Sequence, residues 1–401
     1  LIVVLIAALC VGLALDYAGI PLFGLGEVLS DFGLGESEKD RAKREAAARP
    51  VAQNLLEPTE IKDTFSTYAL EISRLRQVYA LRPDDAAVRG SLVAAMLDLY
   101  QRYPLRFMAD PDYKRELAAF DPLPPRAQLI TSLGEGTFDG LAKLSDELAK
   151  IDGVSPDDLS VAVSVKLALR RAALRQNALD QPGKMAQASH DPLHKPEPEN
   201  ADLVAANGWI KRALSEGKAQ NNRIKFEILA AEVDDAMGAY EAIEARLADF
   251  VAATPNHFLA HVLLASAYIE RNRLAQAAPV IRALATGAQD VGDDLEFANA
   301  MHLEARLAAR RGRSDDQIIG LLAALEKSPD DELTTVRLGR LFLAEKRAQE
   351  CQKLLVDAKQ RGMKSIAFEV ALVEYWLWAH RYEDALAELK IATAAYPDAV
   401  D

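Results

Sequence analysis

The chain has 401 residues, half of them hydrophobic and 27% charged, with 21 Gly and 18 Pro. It can bury a sizeable core in two or three domains or in one long array, and it is neither low-complexity nor collagen-like. Acidic residues exceed basic ones by 60 to 47, for a net charge of −13. That argues against a general affinity for nucleic-acid phosphate. Two cysteines exclude a disulfide scaffold and a Cys-rich zinc domain.

Leu1 to Leu15 carry no charge, and the first residue is Leu rather than Met. Fifteen helical residues span about 22 Å, short of the ~30 Å hydrocarbon core. The expectation is one transmembrane helix within 1–26, completed by residues upstream. A cleaved signal peptide, a lipid anchor on Cys10 and a buried core helix are the alternatives. The flank after it holds Asp16, Glu27, Asp31, Glu36 and Glu38 and no cation before Lys39. A cation-free flank favours the non-cytoplasmic side. The expectation is a single-pass protein of the bacterial inner membrane with a periplasmic bulk. Residues 27–60 read as a polar connector. Their ESEKDRAKREAAARP stretch is helix-forming with little apolar face, which suits a spacer.

Beyond the connector, apolar residues recur at three and four, as in Leu247, Phe250 and Val251, so helices are predicted almost throughout. Pro-Asp-Asp stands at 83–85, 156–158 and 329–331, with variants at Pro255-Asn256 and Pro397-Asp398. In this reading Pro closes one helix and the acidic or amide residue caps the next. Pro329 and Pro397 lie two 34-residue periods apart. The step from Pro255 to Pro329 is six residues longer, an insertion placed between Gly287 and Gly292. Tyr103 to Pro125 is Pro-rich and reads as irregular, and 181–200 reads as an exposed Pro-rich loop.

A period of 34 suits paired-helix repeats. Leu338, Gly339 and Phe342 with Leu355 and Ala358 form one unit. Leu372, Trp376, Tyr382, Ala385, Leu389, Ala392 and Pro397 form the next. Leu264, Ala265, Tyr268, Leu274, Ala277, Ile281 and Leu284 form an earlier one, and Ala305, Ala308, Gly312, Leu321, Ala324 and Pro329 another. On these residues the chain resembles the tetratricopeptide repeat (TPR) family over about 221–397, with a weaker match over 55–180. The resemblance implies an all-α, TPR-like α-solenoid, a right-handed superhelix of helix pairs, after the membrane helix. Divergent repeats would occupy 61–180 and clearer ones 201–401.

Candidate chemistry is sparse. His190 and His194 have a metal-ligand spacing, but Pro192 lies between them. His257 and His261 share that spacing, and packing is the expected role. The acidic doublets recur after Pro, which argues for capping over catalysis. Gly134, Gly136 and Gly140 lack a dinucleotide-loop spacing. Neither Cys10 nor Cys351 has an evident activating neighbour. No enzyme activity, cofactor or metal is expected.

In the family, first helices line a concave groove. Its positions map onto Ser266, Glu270, Asn299, His302, Arg306, Arg310, Arg340, Glu374 and Trp378. The resemblance implies a partner-binding groove with a basic stripe of Arg306, Arg310 and Arg340, suited to an acidic peptide or subunit terminus. A solvated helix face is the plainer alternative. The last pair, with Tyr375, Trp376, Trp378 and Tyr382 and no polar capping helix after Pro397, is expected to meet another chain in an oligomer or complex. The function these features imply is a membrane-anchored scaffold or adaptor in a cell-envelope assembly of the secretion, pilus or motility type. The alternatives are a chaperone-like adaptor at a translocation site, or the regulatory part of an enzyme whose catalytic domain lies upstream.

Overall fold

A computed structural model describes residues 65–82, 85–103, 112, 115, 141–150, 156–180, 196–215, 223–255 and 257–396. The expected membrane helix, the connector to residue 60, most of the Pro-rich loop, Cys10, His190, His194, Pro83, Pro397 and the 134–140 glycines lie outside them. Among the described residues no helix is long and apolar enough to cross a membrane. Every described element is an α-helix, as the apolar spacing predicts.

The described residues fall into two compact units, one within 70–92 and the other holding 65–69 with the residues from 93 onward. The helix α1 (Phe65–Leu81) buries Ile72, Leu75 and Val78. In the first unit Val78 packs with Val88 at the start of α2 (Ala86–Arg102). Asp85 caps α2 by accepting from the Val88 N–H at 3.3 Å, the role predicted for the residue after Pro-Asp.

The second unit continues with α3 (Leu141–Lys150), α4 (Pro156–Asp180), α5 (Ala201–Ser215), α6 (Arg223–Met237) and α7 (Tyr240–Ala253). Four helix pairs follow: α8 (Phe258–Glu270) with α9 (Leu274–Val291), α10 (Asp294–Arg310) with α11 (Ser314–Lys327), α12 (Glu332–Ala344) with α13 (Ala348–Gln360), and α14 (Ile366–Trp378) with α15 (Tyr382–Ala395). The first helices of successive pairs, counted from α6, start 34 to 38 residues apart. This is TPR-like stacking of helix pairs.

The two helices of a pair are joined in the same way four times. Asn272, Gly312, Lys346 and His380 all have φ between 58° and 68°. The N–H of the arginine after each donates to the carbonyl five residues back, Arg273 to Tyr268, Arg313 to Ala308, Arg347 to Phe342 and Arg381 to Trp376, at 2.7–3.0 Å. A left-handed residue followed by this long bond is a helix-stopping cap that turns the chain back on itself. Second helices then start after arginine without a side-chain cap. First helices are capped by side chains instead: His257 accepts from the Ala260 N–H, Asp293 from Glu296, Asp331 from Leu333 and Ser365 from Phe368.

Two sequence expectations are corrected. Pro156 does not close a helix; it opens α4, with Asp157 and Asp158 inside the first turn. Its fixed φ and missing N–H suit that position. The insertion is not confined to the stretch between Gly287 and Gly292: α9 runs to 18 residues, against 13 or 14 in the other second helices, α10 runs to 17, against 13 in α8, α12 and α14, and Gly292 ends α9 at φ 67°. Gly287 lies inside α9 where a Cβ would come within 2.9 Å of the Phe258 ring, so the lack of a side chain there lets the ring pack against the helix.

The core runs between pairs rather than around a centre. Ala277, Ile281 and Leu284 of α9 bury against Ala300, Leu303 and Leu307 of α10. Leu321, Leu338, Leu355 and Leu372 continue the seam. Each such Leu or Ile contributes about 1.5–3 kcal/mol of burial. Small residues bring the helices together. A Cβ on Gly320 would lie 3.0 Å from the Met301 carbonyl and 3.1 Å from the Ala305 Cβ, so α10 and α11 are in backbone-to-backbone contact. Farther back, Lys166 is buried in α4 and satisfied by Asp146 at 3.0 Å and Asp202 at 2.6 Å.

Candidate partner-binding face

The groove residues predicted from the sequence sit on four first helices: Ser266 and Glu270 on α8, Asn299, His302, Arg306 and Arg310 on α10, Arg340 on α12, Glu374 and Trp378 on α14. The structure divides them into two clusters. In the first, Arg306 donates to Glu270 at 2.9 Å and to the Ser266 hydroxyl at 3.3 Å, and Arg310 donates to the other Glu270 oxygen at 2.6 Å. Ser266 donates in turn to Asp235 of α6 at 3.4 Å. In the second, Arg340 makes a two-pronged contact with Glu374 at 2.8 and 3.1 Å.

The basic stripe is thus a set of ion pairs between neighbouring first helices. Arg306 and Glu270 are each only 14% exposed. Such partly desolvated, fork-shaped pairs fix the register of one first helix on the next. A visiting carboxylate would have to displace Glu270 or Glu374, so the arginines are not open cation sites.

His302 faces Asp331 at 3.9 Å, and Asn299 donates to Glu296 at 3.2 Å. Trp378 is 42% exposed, an aromatic edge on the same set of helices.

Sequence reading missed two contributors. Tyr240 borders the first cluster; burial first, then the nearby Asp235 and Glu270 charges, push its phenol up to about 12. The second is the end of α4. Arg175 donates to Asp331 at 3.4 Å, Ala178 is buried in the cluster with Ala305, Leu338 and Ala371, and Leu179 packs against it. A helix from earlier in the chain therefore lies against α14 and the start of α12. Nothing in 156–180 marked it, because Ala178 and Leu179 look like ordinary helix residues.

The remaining candidates serve the fold. His257 caps α8. His261 is buried with its Nδ1 2.9 Å from the His257 carbonyl, and burial holds its imidazole below the usual range, only partly offset by that bond. Cys351 is buried, its thiol 3.4 Å from the Gly339 carbonyl, and burial, with Glu374 nearby, pushes it up to about 12. That is the opposite of an activated nucleophile. No group of three or more His, Cys, Asp or Glu among the described residues could hold a metal ion.

No family model matches this sequence, and no curated protein does. Solved structures resemble it at low identity. The human IFIT1 dimer with m7Gppp-AAAA is 11% identical, with TM-score 0.45 over 90% of this chain and 83% of that one. The APC/C hetero-tetramer Cut9–Hcn1 is 14% identical, with TM-score 0.24 over 96% of this chain and 89% of that one. The repeat geometry above, not these likenesses, carries the TPR-like description.

Proposed function

We propose that the protein is a non-enzymatic scaffold or adaptor whose first helices dock protein partners. In this reading residues 1–26 tether it to the bacterial inner membrane, and its repeats serve a cell-envelope assembly on the periplasmic side. The observation that carries the docking reading is the lodging of the α4 end against α14 and the start of α12. A face that accepts one helix of this chain is shaped to accept a helical or extended segment from another. Rigid helix pairs present it without an ordering penalty on the scaffold side. The uncharged run at 1–15 and the cation-free stretch after it support the tether and its sidedness.

Purification from the native membrane in mild detergent tests this. A scaffold recovers one or a few companions at fixed ratio. Recovery of the chain alone, or of many clients in small and variable amounts, would overturn the scaffold reading, the second result favouring a client-holding adaptor.

A further inference from the structure

The four second helices place equivalent residues nine positions after the left-handed turn residue. Three of these, Ile281, Leu321 and Leu355, are each 1% exposed; the fourth, Leu389, is 47% exposed. On α9, α11 and α13 this strip is closed in by the first helix of the following pair. On α15 it carries Tyr382, Leu386 and Leu389, all largely exposed, and ends at the half-buried Thr393. These four are spaced four, three and four apart, the seam of a helix built to meet another helix.

We propose that this seam is a self-association surface and that its occupant is α15 of a second copy of this chain, packed antiparallel. Two features point to a copy in that orientation. First, the seam is symmetric about a point midway between Ala387 and Glu388. An antiparallel copy sets Leu386 against Leu389 of the partner subunit and Tyr382 against Thr393 of the partner subunit, twice over, as a two-fold axis requires. Second, the solvent-side flank carries Glu383 and Lys390, both exposed and one heptad apart. Antiparallel pairing brings Glu383 next to Lys390 of the partner subunit, and the reverse. In a parallel pair Glu383 and Lys390 would each face the opposite flank of the partner helix rather than each other, and this charge pair would be lost. The partner's α15 would take the seat on α15 that α10 takes on α9.

The test is the mass of the purified full chain in mild detergent, followed by sedimentation across micromolar concentrations. The wild type runs as a dimer. Leu386→Glu with Leu389→Glu weakens association at least about tenfold, since two charges enter an apolar seam, with helix content by circular dichroism unchanged. Glu383→Lys alone weakens it several-fold, and adding Lys390→Glu restores it, because the reciprocal pair is rebuilt. The charge pair is at the surface, so it carries the test even if the leucine variant fails to fold. A wild type that stays monomeric overturns the proposal, whether the seam is then covered by another protein or by none. A leucine variant that stays dimeric, or a charge swap weaker than the single change, overturns it as well.

Discussion

Glu270 holds two arginines of the next first helix, Arg306 on one oxygen at 2.9 Å and Arg310 on the other at 2.6 Å. One carboxylate thereby sets the register of α8 on α10. A charge-assisted hydrogen bond contributes about 1.5–3 kcal/mol when desolvated, and less where solvent screens it, as at Arg310, which is 33% exposed. Glu270→Gln is expected to lose about 1–2 kcal/mol in urea unfolding. It also frees two guanidinium groups on the docking face. If acidic segments bind there, the variant holds a Glu-rich peptide more tightly than the wild type does, by fluorescence anisotropy. Unchanged or weaker binding would remove the acidic-peptide form of the proposed function.

Glu369 lies in the first turn of α14, buried, with its Oε2 lacking a hydrogen-bond partner. Burial raises its carboxyl above the usual range; Lys359 opposes this, and Glu388 and Glu332 add to it. An acid raised in the folded state binds more protons folded than unfolded. Its contribution is therefore present below the unfolded value near 4.5 and is lost as pH climbs toward the folded one. Glu369→Gln removes that loss. Thermal unfolding should show a higher midpoint for the variant at neutral pH, with the gap closing in acid. A gap that widens in acid would mean that the charged form is the favoured one.

Two glycines inside helices should respond to alanine with opposite sign. At Gly208 of α5 a Cβ meets nothing within 4 Å, whereas at Gly320 it presses on the Met301 carbonyl and Ala305. Gly208→Ala gains about 0.5–1 kcal/mol of helix propensity. At Gly320 the same gain is outweighed by overpacking, which costs about 1–3 kcal/mol. Chemical denaturation of the two variants side by side gives the comparison, and two shifts of the same sign would contradict the close approach of α10 and α11.

Lys346 sits at φ 60°, a conformation that costs a residue with a Cβ about 1–2 kcal/mol. Lys346→Gly relieves it and should stabilise by about 0.5–1 kcal/mol after glycine's extra entropy is subtracted. Gly312→Ala, at φ 68°, should destabilise by a similar amount. Equilibrium unfolding of the pair checks whether the two turns are alike.

Much of the fold can be read from the residues. The 34-residue spacing and the small-residue positions identified the helix pairs, and Asp85 and Asp331 act as the caps predicted. The reading failed where one residue type serves two backbone roles. Proline stops a helix at 329 and starts one at 156. The shared turn was missed because four different residues, Asn, Gly, Lys and His, occupy the left-handed position; its mark in the sequence is the arginine that follows each of them, at 273, 313, 347 and 381. At the candidate site, the sequence located the arginines but not their partners. Glu270 and Glu374 stand 36 and 34 positions from Arg306 and Arg340, so only stacking of the pairs brings them together. The α4 contact spans more than 150 residues and has no local signature.

The repeated turn also makes the array divisible. Lys346 and His380 share one backbone state 34 positions apart. Removing 346–379 would join Glu345 to His380, leaving α12 to fold back onto α15 through a junction of the same shape. Length in such a protein is a modular property, and pairs can be gained or lost between turns while each remaining seam keeps its partner.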